Sequence, residues 1–346
     1  MSTTIQVLTI QDLSLNPFIR ILSRRIATDT FQVDTDQSEF WNMKKKYDII
    51  QIHWPEIFFY CKNKNLPTKE FGERLSEKLQ QWKRSGAKIV FTRHDETTHY
   101  VKSTDVRTNL YDIIESEADA FVHLGYYSKN QMLARMPEDK RLHVVIPHHI
   151  YDTYYTRSIS QLEARKALKI PENYRVILCF GTFRDEEELL LVKNGFERLN
   201  VADKYLFAPG WYHDGIHEYI NQHITLEGNC RLGRGAVDRK IIPYCFAAAD
   251  VVFIQRLRNL NSGNLPMGFL FNKTVVGPAI GNMTEYLDNI NNFSFDPFDP
   301  ASVLSALEKG MERSRFPQGN ELYAREHWNT ARICEQYRQF YQLLIQ

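Results

Sequence analysis

Residues 247–287 read AAADVVFIQRLRNLNSGNLPMGFLFNKTVVGPAIGNMTEYL and contain one complete strand–helix–strand unit. The apolar run 251–254 predicts a strand, and the polar residues 255–261 that follow it predict a loop. A short apolar segment, 265–271, predicts a helix, and residues 274–276 predict a second strand. Because two strands joined by a helix lie parallel in one sheet, this unit indicates an α/β architecture.

The turn Ser262-Gly263-Asn264 joins the first of these strands to the helix. Backbone N–H groups at the start of a helix point outward at its positive end, which favours a bound anion and most often a phosphate. Serine and glycine also occur in such turns for packing alone. The sequence therefore predicts an anion pocket here, and the residues around it must decide whether it binds a phosphate.

Strand-like apolar segments alternate with helical patterns along the chain, in two series separated by a linker and a helix at 159–168. The first series of predicted strands is 5–10, 31–33, 49–53, 88–92, 120–123 and 144–146. The second series is 176–180, 204–208, 224–226, 251–254, 274–276 and 293–295. This alternation predicts two doubly wound Rossmann-like domains facing a central cleft, where ligands bind at the carboxyl ends of the strands.

The composition is that of an ordinary globular protein, with 25% charged and 43% hydrophobic residues among 346 and a formal net charge of +1. Such a charge balance gives no overall field that would recruit nucleic acid. No apolar run approaches the ~18 residues of a membrane-spanning helix, and the first residues lack the pattern of a signal peptide. The five cysteines are far apart and without C-x-x-C spacing, which favours free thiols and a cytoplasmic location.

Further short motifs follow one another along the chain. They are Asn16-Pro17-Phe18, His53-Trp54-Pro55-Glu56, Thr92-Arg93-His94-Asp95, Ile146-Pro147-His148 and Phe180-Gly181-Thr182-Phe183-Arg184. The 247–287 unit adds Ala248-Ala249-Asp250-Val251-Val252, Ser262-Gly263, Asn272-Lys273-Thr274-Val275-Val276 and Gly281 with Glu285. In this order the motifs resemble those of a GT-B glycosyltransferase of the group 1, or family 4, type, over nearly the whole chain.

The resemblance implies a domain layout and a reaction. It implies an N-terminal acceptor domain at 1–155, a C-terminal nucleotide-sugar donor domain at 156–325, and a final helix at 326–346 that packs back on the first domain. Residues 322–344 themselves have the pattern of one long amphipathic helix. The implied enzyme moves a sugar, hexosyl in type, from a UDP- or GDP-linked donor to a saccharide or lipid-linked saccharide hydroxyl. The expected reaction needs no metal cofactor and retains the configuration at the sugar carbon. Its expected setting is the biosynthesis of a polysaccharide or glycolipid.

In the donor domain, the resemblance assigns the diphosphate to Ser262, Gly263 and Asn264 and to the guanidinium of Arg184. Backbone N–H groups and cations would stabilise the departing phosphate charge. The alternative for Arg184 is a surface salt bridge with the acidic residues 185–188.

The chain departs from the family pattern at two places in this domain. Glu187 stands where the family has a lysine, so one cation is missing unless Arg256 or Arg258 replaces it. Asn259 and Met267 stand where the family has two glutamates, the second of which grips the ribose hydroxyls.

In the first domain, His94 corresponds to the family histidine beside the donor sugar. Asp95 follows it, and in an inverting enzyme Asp95 or Glu96 would be the general base for the acceptor hydroxyl. The sequence also predicts acceptor or sugar contacts at strand ends and at the start of the first helix, from Asn16, His53, Trp54, Glu56 and His148. For residues 93–96, the alternative is a charged loop that only hydrogen-bonds itself. The strand-end histidines His53, His94 and His148 form no H-x-x-x-H pair, so no metal site is predicted from them.

Two further interpretations stay open. The absence of the two glutamates and the lysine of the family pattern favours a non-catalytic GT-B partner subunit or sugar-binding protein. Arg20, Arg24 and Arg25 make the first helix basic and amphipathic, as in proteins that touch an anionic membrane surface peripherally.

Overall fold

The computed structural model describes residues 4–10, 17–55, 57–60, 69–96, 104–155, 158–212, 216–223, 229–233, 235–316 and 319–346. The chain forms two compact units. Unit 1 comprises Met1–His149 and Thr330–Gln346, and unit 2 comprises Ile150–Asn329. The first unit is therefore built from two separate stretches of sequence, whereas the second is continuous.

Unit 1 is a parallel sheet with helices between its strands, in the order β2-β1-β3-β4-β5-β6 over the described residues. The strands are β1 (Ile5–Ile10), β2 (Phe31–Asp34), β3 (Ile49–Ile52), β4 (Lys88–Arg93), β5 (Ala120–His123) and β6 (Leu142–Val145). The helices are α1 (Pro17–Ile26), α2 (Gln37–Asn42), α3 (Ile57–Tyr60), α4 (Lys69–Arg84), α5 (Thr104–Glu117), α6 (Tyr126–Arg135) and, from the end of the chain, α14 (Thr330–Ile345).

Unit 2 contains a second parallel sheet, in the order β12-β11-β10-β7-β8-β9 over the described residues. Its strands are β7 (Arg175–Leu178), β8 (Lys204–Ala208), β9 (Cys230–Leu232), β10 (Val251–Phe253), β11 (Thr274–Pro278) and β12 (Phe293–Phe295). Its helices are α7 (Gln161–Leu168), α8 (Glu186–Arg198), α9 (Ile216–His223), α10 (Ile242–Ala248), α11 (Asn264–Leu270), α12 (Pro300–Arg313) and α13 (Asn320–His327), with a 3₁₀ turn at Gly281–Glu285.

Continuous burial explains why the central strands are mainly apolar on both faces. All four residues of β3 and all of β5 are buried, as expected for parallel strands covered by helices on each side. The stripe Leu75, Leu79 and Trp82 of α4 enters the core of unit 1, and the Trp82 indole N–H donates to the Phe40 carbonyl at 3.0 Å. The prediction of two doubly wound α/β units is confirmed.

The terminal helix α14 is attached to the sheet of unit 1 by a buried polar chain. The Tyr341 hydroxyl donates to Gln51 Oε1 at 3.0 Å, and Gln51 Nε2 donates to the Thr92 hydroxyl at 2.7 Å. Gln51 and Thr92 lie in the middle of the sheet, on β3 and β4, and are fully buried. Since buried polar groups need partners, these contacts fix the position of α14 on the sheet.

The structure differs from the sequence-based prediction at the end of the chain. The single helix predicted over 322–344 is two helices, α13 and α14. The chain breaks between them because Trp328, only 3% exposed, stacks on Phe269 with 5.0 Å between ring centroids. The predicted strand 224–226 lies outside the described residues, and a strand that the sequence analysis did not predict, β9, follows at Cys230–Leu232.

Candidate functional site

In unit 2, the loops that follow β7 and β10 lie side by side. The two strands are paired, with Val251 opposite Ile177 and Val252 opposite Leu178. The β7 loop (179–185) carries Arg184, and the β10 loop (254–263) leads into α11 through the predicted anion-binding turn. Because the strands are parallel, both loops leave the sheet at the same edge.

The turn Ser262-Gly263-Asn264 is tied to the β7 loop by a side chain. Asn264 Nδ2 donates to the Phe180 carbonyl at 2.7 Å, while the backbone N–H of Asn264 donates to the Ser262 hydroxyl at 3.3 Å. A Cβ on Gly263, which is exposed, would lie 3.2 Å from the Tyr151 hydroxyl. The turn is therefore fixed by hydrogen bonds while Gly263 leaves its backbone open to solvent.

Glycines let the neighbouring strand ends approach closely. Gly181 has a φ of +106°, and a Cβ on Gly210 would lie 2.0 Å from the Gly181 carbonyl oxygen. A Cβ on Gly233 would lie 2.6 Å from the Gly210 nitrogen. Since side chains at these positions would clash with backbone, the loops after β7, β8 and β9 pack backbone against backbone.

Arg184 and Arg256 lie on the two neighbouring loops and make different contacts. Arg184 is half-buried and its Nη1 donates to the Arg258 carbonyl at 3.1 Å. Arg256 Nη1 forms an ion pair with Glu188 Oε2 at 2.6 Å and also donates to the Thr182 carbonyl at 2.9 Å. The sequence offers Arg256 as a replacement cation, but its pairing with Glu188 is seen only in the structure.

The departures from the family pattern have distinct surroundings. Glu187 is exposed near the start of α8, and Asp185 caps that helix by accepting from the Glu188 N–H at 2.9 Å. Met267 is 5% exposed within α11, so it belongs to the core of unit 2. Asn259 lies partly buried in the β10 loop, where its side-chain amide donates to the Asn261 carbonyl.

In unit 1, residues after β3 and β4 form an aromatic and imidazole cluster. His53 Nδ1 and His94 Nε2 share a hydrogen bond of 2.9 Å. The Trp54 ring stacks on His94 with 3.8 Å between centroids, and its indole N–H donates to Asp95 Oδ2 at 3.1 Å. The structure thus brings together four of the predicted site residues of this domain.

Phe18 of α1 joins this cluster to the residues after β6. Its ring stacks on His149 at 4.7 Å, lies 4.4 Å from the His148 ring and meets His94 edge-on at 5.3 Å. His149 Nε2 is 3.1 Å from the Phe18 carbonyl. The predicted residue His148 therefore belongs to the cluster, with Phe18 and His149 as members to which the prediction gave no role.

Burial keeps these imidazoles neutral. Desolvation lowers the pKa of His53 to about 3 and that of His149 to about 4. The pKa of His148 falls to about 3 through burial and the neighbouring His149. Burial, with the nearby His53 and His148, holds the pKa of His94 well below its ordinary value. At neutral pH the cluster can exchange hydrogen bonds with hydroxyl groups but carries no positive charge of its own.

Asp95 is the carboxylate of the cluster, and Glu96 points elsewhere. Asp95 is 6% exposed, whereas Glu96 is exposed and accepts from Gln131 Nε2 of α6 at 2.5 Å. The predicted contacts Asn16 and Glu56 lie outside the described residues. In the part of the chain that the structure describes, no three histidine, cysteine, aspartate or glutamate side chains are arranged to hold a metal ion.

The basic helix predicted near the start of the chain is α1. Its apolar residues, among them Phe18, Ile19 and Leu22, are buried in unit 1, while Arg24 and Arg25 are exposed. A membrane contact through α1 would therefore rest on charge, because its apolar face is already covered. Among the described residues, no helix is long and apolar enough to span a bilayer.

Comparison with family models and with curated proteins finds no match. Solved structures do match. Sucrose-phosphate synthase from Thermosynechococcus elongatus has a TM-score of 0.70 at 12% identity, with 98% of this chain and 99% of that chain covered. HepE from Anabaena in complex with UDP-glucose has a TM-score of 0.67 at 12% identity, covering 98% and 99%.

The catalytic domain of starch synthase IV from Arabidopsis thaliana, bound to ADP and acarbose, has a TM-score of 0.68 at 11% identity, covering 99% of this chain and 100% of that one. Each match extends over both sheets and the helices between them. At these identities the likeness concerns architecture, and the chain has the GT-B fold that these glycosyltransferases share.

Proposed function

We propose that this protein is a glycosyltransferase that moves a sugar from a nucleotide diphosphate sugar to a hydroxyl acceptor. The observation that carries the proposal is the Ser262-Gly263-Asn264 turn, which Asn264 ties to the β7 loop at 2.7 Å. Solved proteins of the same fold bind UDP-glucose, in HepE, and ADP, in starch synthase IV. A UDP- or GDP-linked donor is the proposed substrate class.

The donor site would act on the leaving diphosphate. As the bond from sugar to phosphate breaks, negative charge collects on the phosphate oxygens, and pre-positioned N–H groups and cations stabilise it. The turn would supply backbone N–H groups, and Arg184 on the neighbouring β7 loop would supply a guanidinium group. We propose that the transfer uses these groups and needs no metal ion.

In unit 1, the imidazole cluster is the proposed place for contacts with a sugar hydroxyl. His94 is oriented by His53 on one side and by the stacked Trp54 ring on the other. A neutral imidazole held in this way can bind a sugar hydroxyl without competing for the phosphate charge. We favour transfer with retention; in the inverting alternative Asp95 is the base, because it is the carboxylate within the cluster.

The proposed acceptor is a saccharide or a lipid-linked saccharide, in the synthesis of a polysaccharide or glycolipid. The proposed location is the cytoplasm, with peripheral contact to the inner membrane face through the exposed Arg24 and Arg25. Both points extend the donor assignment and have their own tests, namely product formation on candidate acceptors and binding to anionic vesicles.

A second candidate function is a non-catalytic sugar- or nucleotide-binding protein. It is favoured by Met267, which is 5% exposed in the core of unit 2 and stands where the family glutamate would hold the ribose. The two candidates differ in turnover. A protein that binds a nucleotide sugar but neither transfers nor hydrolyses its sugar would support the second.

The first test is thermal stabilisation by UDP, GDP, ADP, CMP and dTDP, each with and without Mg²⁺. A ligand that binds only the folded protein stabilises it by about 2.7 kcal/mol at one hundred times its Kd. We expect one nucleoside diphosphate to raise the Tm without metal, and Ser262→Trp, which fills the turn, to abolish that rise while leaving the unliganded Tm near wild type. Silence across the panel would contradict the proposal.

The turn has a finer test in Asn264→Ala. Loss of the hydrogen bond to the Phe180 carbonyl should loosen the turn and weaken nucleotide binding about tenfold. Asn194→Ala, at an exposed position of α8, is the matched control. If both variants bind the nucleotide as the wild type does, the turn is not the phosphate site. The anomeric configuration of the product, read by NMR, distinguishes retention from inversion.

A further inference from the structure

Arg256 is more buried than Arg258, the other arginine of the β10 loop. Its side chain is 12% exposed, while Arg258, two residues on, is exposed. Arg256 lies on the loop of β10, next to the β7 loop that carries Gly181. A guanidinium this buried makes its contacts in a fixed geometry rather than as a solvated surface charge.

The contacts of Arg256 occupy one edge of its guanidinium and leave another edge open. Nη1 uses its two hydrogens on Glu188 Oε2 at 2.6 Å and on the Thr182 carbonyl at 2.9 Å. No described residue accepts from Nε or Nη2, which together form the side-on edge that binds two oxygens of a carboxylate or phosphate.

Gly181 keeps the space beside the guanidinium clear. A Cβ built on Gly181 would lie 4.0 Å from Arg256 Nη2. The φ of Gly181 is +106°, which side-chain-bearing residues rarely adopt, so the loop keeps a glycine here. Nη2 of Arg256 therefore lies beside the backbone of Gly181. The residue before Gly181, Phe180, has the carbonyl that receives the hydrogen bond from Asn264.

Glu188 holds both the arginine and the β7 loop. Its carboxylate is 2% exposed, and Oε2 accepts from Arg256 Nη1 at 2.6 Å and from the Arg184 N–H at 2.9 Å. Burial raises the pKa of the Glu188 carboxyl, and the positive charge of Arg256 opposes that rise. A buried carboxylate at this place is stabilised only with its partner present, so Glu188 fixes where Arg256 can be.

We propose that Arg256, positioned by Glu188, binds the donor diphosphate through its Nε–Nη2 edge and replaces the cation that is lost at Glu187. This inference rests on the proposed function, because it names the residue that meets the phosphate in the same site. The cation then comes from the β10 loop instead of the start of α8. Glu188 is a positioning residue that acts through Arg256.

The test compares a nucleoside diphosphate with its nucleoside by titration calorimetry, using UDP and uridine, or the matching pair for the base that the wild type selects. Arg256→Lys keeps a charge beside Glu188 but loses the two-donor edge. The double variant Glu188→Gln with Arg256→Gln removes both charges and so avoids a buried unpaired carboxylate. Arg198→Gln, an exposed arginine on the same helix as Glu188, is the matched control.

We expect both Arg256 variants to lose about 10- to 100-fold in UDP affinity, as for a charged hydrogen-bonding partner, with uridine affinity within about twofold of wild type. A merely structural role for the pair would weaken both ligands equally, and that result would overturn the inference. Unchanged UDP affinity in Arg256→Lys and in the double variant would also overturn it, while leaving the proposed function in place. A wild type that binds no nucleotide would overturn the proposed function and this inference together.

Discussion

Gly210→Ala is the substitution whose effect follows most directly from the geometry of unit 2. The added methyl would lie 2.0 Å from the Gly181 carbonyl oxygen and 2.5 Å from its carbon, whereas real Cβ contacts are essentially never under 3.0 Å. The Gly181 backbone cannot withdraw freely, since its N–H donates to the Pro209 carbonyl at 3.0 Å. The strand ends of β7 and β8 must therefore separate.

The expected magnitude comes from the cost of overpacking. Inserting a methyl group into a well-packed region typically costs about 1–3 kcal/mol, and contacts with backbone on a neighbouring strand place this site at about 3 kcal/mol. For a folding unit the size of Ile150–Asn329, each kcal/mol lowers the Tm by about 2–4 °C. We therefore expect Gly210→Ala to lower the Tm of unit 2 by about 6–12 °C.

Differential scanning calorimetry measures this change, and Gly235→Ala is its control. A Cβ on Gly235 meets nothing within 4 Å and needs no unusual backbone conformation, so that variant should stay within about 0.5 kcal/mol of wild type. Because the clash lies beside the proposed phosphate site, nucleotide affinity should also fall in Gly210→Ala. A Tm equal to that of the Gly235→Ala control would refute the close approach of the β7 and β8 loops.

Two further predictions concern unit 1. His53 and His149 have folded-state pKa values of about 3 and about 4, below the ~6.5 of an unfolded histidine, so the unfolded chain binds more protons as the pH falls. The free energy of unfolding should thus be greatest above pH 6.5 and should be lower by about 2 kcal/mol per histidine at pH 5. Urea denaturation at pH 5 and at a pH above 6.5 measures this difference. Equal free energies of unfolding at the two pH values would contradict the prediction. Tyr341→Phe should lower the free energy of unfolding by about 1–2 kcal/mol because Gln51 loses its buried donor. The control Tyr323→Phe, at a tyrosine 42% exposed in α13, should change the urea midpoint little. Equal midpoints for the two variants would show that the Tyr341 hydrogen bond does not hold α14.

Sequence patterning captured the buried strands because a parallel strand covered on both faces must be a continuous apolar run. The structure places β1 at Ile5–Ile10, the same bounds as the prediction. The same signal was too weak for β9, whose three residues are only partly buried. A short edge strand needs no apolar run, so its pattern does not stand out from a loop.

Tertiary packing decided what local pattern could not. The helical pattern of 322–344 continues through Trp328 without proline or glycine, and the break arises because the indole stacks on Phe269, far away in sequence. Strand-end position correctly grouped His53, His94 and His148, whose roles stay predictions. The place of Phe18 among them depends on ring packing, and the pairing of Arg256 with Glu188 joins residues 68 positions apart.

The split composition of unit 1 has a consequence for how the chain folds as it is synthesised. The hydrogen bond between Tyr341 and Gln51 spans 290 positions, so the centre of the first sheet lacks its polar partner until the whole of Ile150–Asn329 has been translated. The second unit is continuous, so its sequence is complete before that of the first unit. We therefore expect the first unit to complete its packing only after the second unit has been translated, which reverses the usual N-terminal-first order of folding during translation.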